Sequence, residues 1–200
     1  MLRLILAELK AHSSFTILGA LTGIFIMLLY SSFSIPARLS YNIFYTLHPM
    51  HVLLSALVTA SMYELHSNGK SKLWVLILIG YGGSVGIATL SDCLIPYLGE
   101  VLLGLPNKGV HLGFIEEWWL VNPLAFLGIA IACYSPSTKF PHAGHVLLST
   151  WASIFHIIMA VGETLDWFSY AIIFVFLFIS VWIPCCISDI AFPLLFVKDT

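Results

Sequence analysis

The sequence predicts an all-α integral membrane protein in which six transmembrane helices form two inverted three-helix repeats. Three observations predict it. First, 60% of the 200 residues are hydrophobic and only 9% are charged, with a mean hydropathy of +0.98. A soluble domain carries about 25% charged residues, so this chain cannot cover a water-facing surface. Second, the apolar residues gather into six runs, each of roughly the 20 residues that a ~30 Å hydrocarbon slab requires. Third, one stretch occurs twice: residues 48–55 read HPMHVLLS and residues 142–149 read HAGHVLLS.

The runs can be taken in order. Run one covers 13–34, and its uncharged core at 13–33 exceeds the ~7–15 residues of a signal-peptide core. It reads as a retained spanning helix. Run two, 44–64, opens on His48 and His51. Run three, 73–96, carries Gly80, Gly82, Gly83 and Gly86, which suit close helix packing, and it closes on Ser91-Asp92 followed by Pro96. Run four, 112–134, starts at Glu116-Glu117-Trp118-Trp119, an interfacial belt with solvated acids. Run five, 143–163, opens on His142 and His145, and run six, 168–190, closes on Ser188-Asp189 followed by Pro193. Cys185 and Cys186 in run six read as small apolar filling, and Asp166 as part of a solvated outer turn. The connections are short and polar. The whole chain, 1–200, is thus one transmembrane domain, with repeat one at about 13–98 and repeat two at about 110–194.

Basic residues set the orientation. With the N-terminus inside, Arg3, Lys10, Lys70, Lys72, Lys139 and Lys198 lie inside, while only Arg38 and Lys108 lie outside. Both termini are therefore expected to be cytoplasmic, in a cell membrane. The net charge of −2 offers no basic field for nucleic acid. The expected partners are the lipid bilayer and other membrane subunits.

Each repeat has an odd number of helices, so two of them in one chain must point in opposite directions. This predicts an outer constellation of His48, His51 and Asp92 and an inner one of His142, His145 and Asp189. Histidines three apart project from one face of a helix, and a carboxylate from a neighbouring helix adds a third donor. Two imidazoles and a carboxylate suit copper, zinc or iron. Cys93, His111 and His156 are further candidate ligands, and Met50, between the outer histidines, would favour copper(I). His145, His156 and Glu163 fall on one stripe of helix five, an ion path or a packed polar seam.

The paired histidines His48 and His51, with Ser91, Asp92, Pro96 and Tyr97 after a glycine-bearing helix, resemble the cytochrome c oxidase assembly factor CtaG family over roughly residues 44–130. The resemblance implies copper handling for a haem-copper oxidase at the outer face. The chain departs from that family in spacing its first histidines by three instead of four.

The leading expectation is a polytopic metal-binding protein, copper favoured, acting as an assembly factor or accessory subunit of a metal-containing respiratory-type membrane complex. Three others stand beside it. One is a haem b electron carrier, with His48 or His51 facing His111 and with His142 or His145 facing His66. Another is a metal-free structural subunit, and a third is a small ion transporter. A metal-dependent membrane hydrolase ranks below these, since no nucleophile or base is distinguishable, and the chain reads more as a binding protein than as an enzyme on its own.

Overall fold

Pro36 and two other prolines decide where the functional residues end up. The computed structural model of the chain describes residues 2–33, 36–67, 71–162 and 165–197. Lys70 and Lys198, used above for orientation, and Glu163 of the helix-five stripe lie outside the described residues. Helix α1 spans Leu2–Phe33 and α2 spans Ala37–His66. Pro36 is the N-cap of α2, in extended conformation. A proline there fixes φ and needs no hydrogen bond of its own, so the helix starts directly after it. Helix two thus begins well before residue 44, and His48 and His51 lie near its middle instead of opening it.

Helix α3 (Leu73–Thr89) runs through a π-helical turn, Leu90–Leu94, into α4 (Ile95–Leu102). After the short α5 (Gly113–Glu116) come α6 (Trp118–Tyr134) and α7 (Lys139–Ala160). Helix α8 (Trp167–Cys186) runs through a second π-helical turn, Ile187–Ala191, into α9 (Phe192–Leu194). The two turns have one cause. Pro96 and Pro193 each follow an aspartate by four residues, and proline offers no N–H to that aspartate's carbonyl and crowds it. The backbone widens to accommodate this: Ile95 N–H reaches back five residues to Leu90 O, and Phe192 N–H to Ile187 O. Both turns carry the Ser-Asp pair. Asp166 caps α8 by accepting from Ser169 N–H at 2.9 Å, and hydrogen bonding from the Ser169 side chain, then from its N–H, holds the carboxyl below the usual carboxylate range.

Helices α2 and α7 form the centre and run antiparallel, with Leu54 against Gly144 toward one end and Phe44 against His156 toward the other. Helix α6 packs on α2 at Gly128, where an added Cβ would lie 2.4 Å from Leu53 O. Helix α1 packs on α7 at Gly19, where a Cβ would meet Thr150 at 2.9 Å. Side-chain hydrogen bonds tie α1 to α7, α1 to α8 and α3 to α6: Trp151 Nε1 donates to Thr22 Oγ1, Trp182 Nε1 to Leu9 O, and Tyr81 Oη to Asn122 Oδ1. Of the four glycines on α3, Gly80 and Gly83 face Ile129 and Thr59, whereas Gly82 and Gly86 have open space beside them. Close packing therefore explains only the first two.

The described residues contain helices and loops and no strand. Among the described residues, five helices are long and apolar enough to cross a membrane: Ser13–Phe33, Arg38–His66, Leu73–Leu102, Pro141–Ala160 and Trp167–Leu194. The expected fourth span is shorter. It breaks at Glu117, whose φ of −119° and ψ of 44° are not helical, so that α6 keeps 17 residues. Large apolar side chains such as Leu21, Phe25, Leu78, Leu98, Phe126 and Val175 point outward. An apolar exterior around a polar centre is the arrangement that suits lipid.

Candidate metal centre

The α2 histidines converge on one carboxylate. Asp92 Oδ2 lies 2.9 Å from His48 Nδ1 and 2.7 Å from His51 Nδ1. Its other oxygen, Oδ1, accepts from Ser91 Oγ at 2.7 Å and from Ser149 Oγ at 2.6 Å. All three residues of this triad are at most 1% exposed. An ionised carboxylate accepts hydrogen bonds only, so each imidazole carries its proton on Nδ1 and turns Nε2 away. His51 Nε2 is buried with no hydrogen-bond partner among the described residues. A histidine that gives one ring N–H to a carboxylate and keeps the other nitrogen bare is arranged as metal-binding histidines are. His48 is held further by stacking on Phe44, with centroids 5.4 Å apart, and by Gly113, where a Cβ would come within 2.5 Å of its ring.

The second triad is built from α7 and the π-helical turn after α8. Asp189 Oδ2 lies 2.9 Å from His145 Nε2 and 3.4 Å from His142 Nδ1. His145 Nδ1 lies 3.2 Å from Pro141 O, a carbonyl that can only accept, so this ring is turned opposite to that of His51. Thr59 Oγ1 on α2 meets Ser188 Oγ at 3.2 Å, and Ser153 Oγ on α7 donates to Ser91 O at 3.0 Å. Each central helix thus braces the Ser-Asp turn of the other half.

The two triads, expected near opposite membrane faces, adjoin. The rings of His51 and His145 stack with centroids 5.7 Å apart. Three groupings of described residues can hold a metal ion, each with ligand atoms within 4.8 Å of one another: His48, His51 and Asp92; His142, His145 and Asp189; and His51, His145 and Cys185. The donor sets fit a transition-metal ion.

Other expected ligands fall elsewhere. Cys93 is buried but belongs to none of these groupings. Met50 is 48% exposed, because the residue two steps after His48 turns off that face of the helix. His111 sits edge-on to His156 at 5.3 Å and 3.6 Å from Glu116. Glu116 is more than a solvated acid, since it accepts from Tyr45 Oη and from Leu112 N–H. His66 turns back to Met62 O on its own helix.

His156 pairs with Glu100, Nδ1 to Oε1 at 2.7 Å, while its Nε2 lies 3.2 Å from Val110 O. Glu100 lies beyond residue 96, where the expected third span ends. A carboxylate inside an apolar run needs a buried partner, and that was the available signal. Cys185, expected as apolar filling, is one of the grouped donors instead; it precedes Asp189 by four residues, one helical turn.

Comparison with protein-family models, with curated proteins and with solved structures finds no match for this chain. The functional reading therefore rests on the site.

Proposed function

We propose that the protein binds a transition-metal ion in its buried histidine–aspartate core, copper ahead of zinc or iron, and serves a metal-containing respiratory-type membrane complex as an assembly factor or accessory subunit. One observation carries the metal reading. Asp92 and Asp189 are fully buried, each against two histidines, while every lysine and arginine side chain described is exposed. Two buried carboxylates need compensating positive charge. A metal cation held among the histidines offsets that charge in part. Imidazole donors with a neighbouring thiol select copper or zinc over magnesium and calcium.

The architecture in this proposal is an inverted three-plus-three bundle with both termini cytoplasmic. Its support is a set of matched contacts. Ala56 and Thr150 each follow the closing serine of their motif copy, and each takes the close approach of a glycine, Gly128 from α6 and Gly19 from α1. Thr59 and Ser153, at matching positions, each brace the opposite Ser-Asp turn. Helix α6 serves as the sixth span; its 17 residues give about 26 Å at 1.5 Å per residue, near the lower limit for crossing.

Metal analysis of the purified chain, alone and with His48→Ala and His51→Ala together, tests the proposal. Bound copper that falls in the double variant is the expected result. Metal content indifferent to both histidines would remove these histidines from the site.

The meeting of the two histidine pairs supports a second reading, a small ion transporter. Inverted-repeat transporters bind at the repeat interface near the membrane midplane, and the contact of His51 with His145 lies between the two central helices. Metal flux into proteoliposomes separates the two, because an accessory subunit moves none.

A further inference from the structure

The third grouping is unlike the two triads. His51 comes from α2, His145 from α7 and Cys185 from α8, and one donor atom of each lies within 4.8 Å of the others. All three residues are at most 1% exposed. His51 Nδ1 is committed to Asp92 at 2.7 Å, so the nitrogen left to face this grouping is Nε2, the one without a hydrogen-bond partner. The thiol lies 3.9 Å from Ser149 Oγ, and that same hydroxyl donates to Asp92 at 2.6 Å. The thiol and the first triad are therefore in one hydrogen-bonded network, which His145 meets by stacking on His51.

The two halves of the chain differ here. Aligning Ser91-Asp92 with Ser188-Asp189 sets Ala88 against Cys185. Only the second half supplies sulfur, so the duplication does not yield a second copy of this grouping.

We propose that His51, His145 and Cys185 form a single bis-imidazole–thiolate copper site where α2, α7 and α8 meet. The proposal rests on the metal-binding reading above and names its donors. Asp92 then orients His51 from behind and is not itself a ligand, as carboxylates behind metal-bound histidines commonly do. Two imidazoles and one thiolate are a donor set suited to copper, and a thiolate is soft enough to hold copper(I). On binding, the S–H bond breaks, the S–Cu bond forms, and the proton passes to the medium.

The test uses the full chain in detergent, loaded with copper(I) under reducing conditions. The expected stoichiometry is one copper per chain, against two if each triad binds separately. X-ray absorption should show a sulfur shell at ~2.3 Å from the metal, the length of a metal–thiolate bond. Cys185→Ser should abolish that shell and weaken binding beyond the ~10–100-fold that loss of an orienting partner costs. Cys93→Ser and Cys186→Ser should keep both the shell and the affinity. If Cys185→Ser does not fold, Cys185→Ala carries the same comparison. A sulfur shell that survives loss of Cys185, or copper held by nitrogen and oxygen alone, overturns this site and leaves the metal-binding reading standing. No copper bound by the parent chain overturns both.

Discussion

The imidazole of His51 stacks on that of His145 with ring centroids 5.7 Å apart and planes 13° from parallel. Each is the second histidine of its copy of the duplicated stretch. The motif therefore meets itself in the core, on two antiparallel helices.

Asp92 fixes both α2 imidazoles through one oxygen, at 2.9 and 2.7 Å. Asp92→Asn keeps the shape but removes the charge and leaves one oxygen to accept. Metal affinity should fall by about 10–100-fold, the usual cost of losing an orienting carboxylate. Competition against a chelator of known affinity measures it; an unchanged affinity would show that Asp92 does not prepare the histidines.

Glu100 and His156 form a buried pair at 2.7 Å, and Glu100 Oε2 also accepts Gly109 N–H at 3.2 Å. Removing one partner strands the other, so Glu100→Ala should destabilise the protein by about 3–5 kcal/mol. Removing both partners should cost less than the sum of the single losses. Thermal unfolding in detergent reads all three variants, and strict additivity would show that the pair is not coupled.

Gly113 leaves the space that the His48 ring fills, since a Cβ there would lie 2.5 Å from Cδ2. Gly113→Ala should push the ring off Phe44 and off Asp92. The expected cost is about 1–3 kcal/mol, with weaker metal binding. A variant with parental stability and affinity would mean that α5 simply moves aside.

Gly128 is the tightest approach of α6 to α2, with backbone and not a pliable side chain on the far side. Gly128→Ala should therefore cost about 1–3 kcal/mol, whereas Gly82→Ala, beside open space, should be neutral or stabilising. Comparing the two melting temperatures checks the packing assignment.

Single cysteines added to a chain cleared of its own report orientation. Ser71→Cys should label with an impermeant thiol reagent only from the cytoplasmic side, and Asn107→Cys only from outside. The reverse pattern would invert the proposed topology.

Much of this was legible in the sequence. Composition and run length give a helical membrane protein, because a chain with so few charges cannot face water. Duplication and helical spacing put His48 with His51 and His142 with His145, and the aspartate of each Ser-Asp pair lies against the pair expected. Those are local facts, set by a rise of 1.5 Å and a turn of 3.6 residues. Depth was not legible. Where α2 begins depended on Pro36, so the first copy of the motif moved from a helix end to a helix middle while the second still opens α7, and two constellations expected to be separate became neighbours. Glu100 and Cys185 acquired partners for the same reason. Each lies on a helix whose neighbours come from distant parts of the chain, and which residues share a buried space is decided only when those helices pack. The sequence alone determined a membrane protein that carries two histidine pairs and two matching aspartates; the tertiary structure decided that all six form one core, because antiparallel packing of α2 on α7 brings the two copies together.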